Sequence, residues 1–167
     1  MPHNVMVVMP IYGRKEQSVE AMRRLINTAS YSAVYVAVGG VAQVDTIDLC
    51  GRIAGVQRHV ASPENCTYWE ALHYATQNAS DDTLVVNVAN DVLPAAHCLL
   101  RAMEWYNAAQ DTMVGFNGDG HGDQHACHFL ISMRRLRSYG GWPLWYYHNF
   151  GDTELCTRAA QSDFSQI

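Results

Sequence analysis

At 167 residues, 49% of them hydrophobic, the chain is long enough to bury a core and too apolar to be disordered. Its net charge of −5 excludes a global basic field that would draw it to nucleic acid or an acidic membrane. No apolar run reaches the length of a bilayer span, and Val5 to Met9 is too short and lacks the basic flank of a signal peptide.

In chain order, Asn4 to Met9 reads as a buried strand, ended by Pro10-Ile11-Tyr12-Gly13-Arg14. Glu16 to Asn27 has helical period, with Val19, Met22, Leu25 and Ile26 on one side. Ala33 to Val38 is a second strand, stopped by Gly39-Gly40. Asp45 to Ile53 is a short helix and Val56 to Val60 a short strand. Thr67-Tyr68-Trp69-Glu70 has the T-x-x-E form of a capping box and predicts a helix from Tyr68 to Gln77. Thr83 to Val88 is a β-branched strand that stops at Ala89-Asn90-Asp91. A helix is expected over Pro94 to Ala109, strands over Met113 to Asn117 and Cys127 to Met133, and a turn or short helix over Arg134 to Tyr139. Gly140-Gly141-Trp142-Pro143 breaks the chain before a last helix over Asp152 to Ala160.

This alternation predicts an α/β domain spanning residues 1–167, with a mostly parallel sheet and right-handed crossovers. Five cysteines, odd in number and without CxxC spacing, fit a reducing compartment rather than a disulfide framework. A cytoplasmic protein of cellular or viral origin is expected.

The stretch Thr83 to Pro94 organises the rest. Ligands of open α/β sheets sit outside the carboxyl ends of the strands, so Asp91 stands where a metal ion or an anion held through a metal would lie. Taken locally, Asp91 reads as a turn residue capping the helix at Pro94 ahead of a ligand.

Four segments in order resemble the GT-A fold, family-two-like glycosyltransferases. They are the Pro10-Ile11-Tyr12-Gly13-Arg14 turn, Asn90-Asp91 in place of a DxD-type motif, the Gly140-Gly141-Trp142 turn, and Gly151-Asp152-Thr153-Glu154-Leu155-Cys156-Thr157-Arg158 in place of Glu-Asp-x-Asp-Leu-x-x-Arg. The resemblance implies a Rossmann-type three-layer sandwich with helices on both faces of the sheet. It also implies a nucleotide-sugar donor such as a UDP-sugar, and Mn²⁺ or Mg²⁺ as cofactor. The activity implied is hexosyl transfer to an unknown acceptor: glycan, lipid, protein or modified nucleic acid base. Three acidic positions of the family are missing. The second strand ends in Gly39-Gly40, the DxD-type motif keeps one acid, and Gly151 replaces the Glu before the catalytic Asp.

Sugar transfer needs charge stabilisation on the leaving diphosphate and a base for the acceptor hydroxyl. The resemblance assigns the first to Asp91 as ligand of a hard divalent cation, with His148 as a further metal or diphosphate ligand. It assigns the second to Asp152, which reads locally as a helix N-cap as well. Pro10, Tyr12, Arg14 and Asn90 are expected beside the donor. Trp142 is expected as an apolar wall for sugar, or else as a core residue. Two other readings stand beside this one. The first is a non-catalytic nucleotide- or glycan-binding relative of the same fold. The second is a metal hydrolase using the cluster from His121 to His128, which holds zinc-type donors but no HExxH or CxxC spacing.

Overall fold

The computed structural model describes residues 4–28, 32–108, 111–116, 126–147 and 150–164. Among them run β1 (Asn4–Pro10), α1 (Lys15–Thr28), β2 (Val34–Gly39), a 3₁₀ turn (Val41–Gln43), α2 (Val44–Gly51), β3 (Val56–Val60), α3 (Tyr68–Thr76) and β4 (Thr83–Asn87). These are followed by α4 (Cys98–Ala108), β5 (Val114–Gly115), β6 (Phe129–Ser132), α5 (Met133–Ser138) and α6 (Gly151–Phe164). The strands form one six-stranded sheet in the order β3-β2-β1-β4-β6-β5. β3, β2, β1 and β4 are parallel, while β6 runs antiparallel to both β4 and β5. The expected mostly parallel α/β sheet is therefore observed, with an antiparallel margin.

Period-two side chains sort the sheet residues onto two cores. On one face Val5, Val7, Met9, Leu84 and Val86 pack against α1, α2 and α4. On the other, Val8, Val36, Val85 and Ile131 pack against α3, α5 and α6. Strands buried on both faces read as continuous apolar runs, which is why β1 and β4 were visible in the sequence.

Two boundaries differ from the sequence reading. α4 starts at Cys98, not Pro94, because His97 has φ 61, outside the helical region, and its carbonyl accepts the first helical bond from Arg101. Asp91 is thus too far away to cap that helix. α6 runs on to Phe164, beyond the expected Ala160. The capping box is present as predicted: Thr67 Oγ1 accepts from the Glu70 N–H (3.1 Å) and Glu70 Oε2 from the Thr67 N–H (2.8 Å).

The step from β4 to β6 is fixed by Asn87, which is fully buried. Its amide donates to the Tyr68 hydroxyl and the Cys127 carbonyl, both at 3.0 Å, and its Oδ1 accepts from the Phe129 N–H at 2.8 Å. Asn87→Leu is expected to strip the buried Phe129 N–H of this acceptor and to lower stability by roughly 1–3 kcal/mol. Urea unfolding would read it as a lower midpoint with an unchanged slope; an unchanged midpoint would mean that the network carries no net stability.

Candidate functional site

The sheet order places a topological switch point between β1 and β4, where strand succession reverses. Two turns meet there. The first, after β1, carries Arg14 in a left-handed conformation with φ 50. The second, after β4, carries Asn90 and Asp91. Asn90 is 7% exposed and turned inward. Its amide donates to Ser18 Oγ (2.7 Å) and to the carbonyls of Gly13 (3.2 Å) and Tyr12 (3.4 Å). Ser18 in turn donates to the Arg14 carbonyl at 2.9 Å. Asn90 therefore holds the first turn and is not open to a donor. Pro10, buried as the last residue of β1, likewise positions that turn rather than lining the crevice.

Asp91, next in the chain, points outward. Its Oδ2 accepts from Arg14 Nη1 at 2.5 Å, both side chains being substantially exposed. Tyr12 is 51% exposed beside them, hydrogen-bonded to the exposed Tyr147, whose phenol is raised by the charge and hydrogen bond of Tyr12.

The opposite wall comes from α3, α6 and the chain leading into β6. Asp152 lies in the first turn of α6 and is not the N-cap. The Phe150 carbonyl accepts the first helical bond, from Glu154. Asp152 Oδ1 accepts from the Thr153 N–H at 2.8 Å, and its Oδ2 accepts from the Cys127 thiol at 3.1 Å. The neighbouring His128 accepts the Ala89 N–H through Nδ1 at 3.3 Å. Half-buried Tyr68 reports on both walls. Burial pushes its phenol up, the Asn87 amide opposes this, and the charges of Cys127, Asp152 and Asp91 raise it further. Both carboxylates therefore act on the same phenol.

Trp142 does not line the crevice. It is 4% exposed, and its indole N–H donates to Thr76 Oγ1 at 2.8 Å, 6.2 Å from the Phe129 ring. With its ring packed in the second core and its N–H spent on α3, the apolar-wall reading is corrected to a core residue. Arg158 also works inward. Its Nη1 donates to the Tyr139 carbonyl at 2.5 Å, and its guanidinium lies 5.4 Å from the Trp145 ring, which pins the Gly140-Gly141 turn to α6. Glu154 is its i,i+4 neighbour at 3.6 Å, as the spacing predicts. His148 and residues 121–125 of the cluster expected to bind zinc lie outside the described residues. Tyr68 and Tyr147 were missed as site residues, Tyr68 because it reads as part of the capping box and Tyr147 because it belongs to no recognisable spacing, while Cys127 and His128 were expected only as donors of the His121 to His128 cluster.

Two of the missing acids have a steric explanation. At Gly40 a Cβ would lie 2.6 Å from the Glu64 carbonyl and 2.8 Å from the Cys66 nitrogen, because the 63–66 loop crosses the end of β2. At Gly151 a Cβ would lie 2.3 Å from the Trp69 indole. That buried ring leaves no room for a side chain at position 151.

For a divalent cation, Asp91 is an exposed oxygen donor at the strand end, and Mg²⁺-like ions are commonly held by one or two carboxylates with substrate phosphates completing the shell. The residues fit a cation of that kind. Among the described residues no group of three His, Cys, Asp or Glu side chains could hold a metal ion.

No family model matches the chain, and no curated protein matches it by sequence. Solved structures do. The mannosyltransferase PcManGT from Pyrobaculum calidifontis, in complex with GDP-Man and Mn²⁺, superposes with a TM-score of 0.78 at 17% identity, over 97% of this chain and 53% of that one. TarS 1-349 from S. aureus, in complex with UDP, gives 0.65 at 12% identity, over 93% and 54%. A cytidylyltransferase from Leptospira borgpetersenii gives 0.55 at 10% identity, over 84% and 64%. The chain thus spans about half the length of the glycosyltransferases it resembles. The fold is that of GT-A glycosyltransferases, and the cytidylyltransferase shares it.

Gly151→Ala tests the packing of Trp69 against α6. Alanine normally favours a helix over glycine by about 1 kcal/mol. Here the collision with the ring is expected to reverse the sign, with a loss of about 1–3 kcal/mol for overpacking. A raised melting temperature would show that the ring yields.

Proposed function

We propose that the chain transfers a sugar from a nucleotide diphosphate donor, such as a UDP-sugar, to an acceptor hydroxyl, inverting the anomeric centre with Asp152 as base. The observation carrying this reading is the Arg14–Asp91 pair at the carboxyl ends of β1 and β4, the switch point of the sheet. Arg14, held there by Asp91, offers the planar fork that suits phosphate oxygens. A bound Mn²⁺ or Mg²⁺, with Asp91 as its protein ligand and His148 as a further donor, would supply Lewis-acid stabilisation of the diphosphate charge. Tyr12 presents a ring for the nucleobase, since stacking tolerates any base. Asp152, oriented by the Thr153 N–H, takes the acceptor proton. The acceptor oxygen bonds to the anomeric carbon as the bond to the diphosphate oxygen breaks on the opposite face.

We take the chain to act as one domain in the cytoplasm. Its cysteines form no disulfide among the described residues, and no described helix is long and apolar enough to cross a membrane. A non-catalytic nucleotide- or glycan-binding role is the second reading, favoured by one observation: Asp91 is already paired with Arg14. Turnover of UDP- and GDP-sugars with and without Mn²⁺ separates the two.

Asp152→Asn keeps an oxygen for the Thr153 N–H and removes the base. Transfer is expected to fall by about 10²-fold or more, with donor affinity and melting temperature nearly unchanged. Asp152→Ala should lose the same activity and also about 0.5–1.5 kcal/mol of stability. Normal turnover by Asp152→Asn would move the base elsewhere. Asp91→Ala should abolish the Mn²⁺-dependent part of the thermal shift produced by UDP or GDP, because stabilisation follows ligand binding by mass action. A Mn²⁺ dependence that survives the change would place the cation on other residues.

A further inference from the structure

The loop after β4 covers a second feature, beside the crevice rather than in it. A cavity of about 320 Å³ lies between the sheet, α1 and α4, with Val7, Leu25, Val86 and Leu99 among its walls, Leu93 towards solvent and His128 on the side of the crevice. Leu93 is 52% exposed and Ala95 is exposed, so the cavity opens along the 92–95 loop. We infer that this cavity receives the hydrocarbon tail of an amphiphilic acceptor, an inference that rests on the transfer reading for its acceptor role.

Chemistry, size and position converge on that occupant. No charged group lines the cavity, and the polar atoms of its lining side chains belong to Cys98 and His128. His128 already uses Nδ1 to accept the Ala89 N–H. A cavity of 150 Å³ with aliphatic and aromatic walls stays dry and takes benzene, so twice that volume suits a chain of about ten carbons. The position joins the two regions. Val92 follows Asp91 in the chain, and His128 follows Cys127, whose thiol meets Asp152. A tail seated here leaves its polar head at the mouth, one residue along the chain from Asp91.

The test uses the full chain and a series of 1-alkanols from butanol to dodecanol, titrated calorimetrically without nucleotide. Affinity should rise about fourfold with each methylene buried and level off near ten carbons as the cavity fills. Ala95→Trp blocks the mouth from an exposed position, and should flatten the series while the melting temperature holds. Val92→Phe narrows the same opening from a half-buried site and should act alike. Equal affinity at all chain lengths, or an unchanged gradient in both variants, overturns the proposal. Tighter binding of benzyl alcohol than of decanol overturns the choice of a linear chain. With a UDP-sugar, an octyl glycoside should be a better acceptor than the methyl glycoside in kcat/KM, and the advantage should vanish in Ala95→Trp. Equal use of the two glycosides, with the alkanol gradient intact, overturns the acceptor role. Absence of any transfer with that gradient intact is the failure of the transferase reading, and leaves the hydrocarbon site established.

Discussion

The inward turn of one side chain, Asn90, determines the geometry of the crevice. Its amide joins the turn after β4 to the turn after β1 through Ser18 Oγ and the carbonyls of Gly13 and Tyr12. Asn90 and Ser18 are buried, and leaving either unpaired would cost more than the bond itself contributes. The two strand ends are thereby fixed at one separation. Because Asn90 points in, Asp91 points out, and Arg14 leaves its own turn directly opposite. The ion pair at the mouth is a consequence of the clamp: with 58% and 37% of the two side chains exposed, it adds little to stability and is easily exchanged for another partner. A phosphate oxygen is such a partner for Arg14, and a hard cation is such a partner for Asp91.

The missing acidic residues have causes in packing. The 63–66 loop lies against Gly40, and the Trp69 indole lies against Gly151. In both places buried backbone or ring leaves no room for a side chain. The same packing makes α6 start where it does. Trp69 sits in the first turn of α3, whose capping box fixes it, and α6 closes over the ring at its one residue without a side chain.

Much of the fold was legible because its signals are local. Continuous apolar runs marked β1 and β4, the T-x-x-E spacing marked α3, and glycines marked the end of β2. The site was less legible because its contacts are distant. Arg14 and Asp91 are separated by 77 positions, and the Trp142 and Thr76 side chains by 66. No period or spacing carries such pairs. Trp142 read equally as wall or core, and the deciding fact was an acceptor on another helix. Cys127 and His128 belonged to a run of candidate metal donors in the sequence. The strand they lead into sends them instead to Asp152 and to the Ala89 backbone. The α4 boundary failed for a local reason that propensity misses, the left-handed backbone at His97.

His128 is the residue at which the two environments of this end of the sheet divide. Through Ala89 it is tied to the segment that carries Asp91, and through its neighbour Cys127 to Asp152, while its ring closes an aliphatic cavity. A charged crevice and an apolar cavity sharing one wall cannot be occupied well by a uniformly polar molecule, which would leave the cavity empty, nor by a hydrocarbon, which would leave the carboxylates unused. Polar binding groups of this kind fix orientation, and apolar walls supply most of the affinity. The arrangement is therefore matched by a molecule with a polar reacting end and an apolar remainder. It also explains why the 92–95 loop stays irregular. A helix begun at Pro94 would carry its first turn across the mouth of the cavity, whereas the turn at His97 delays α4 and leaves Leu93 and Ala95 at the rim.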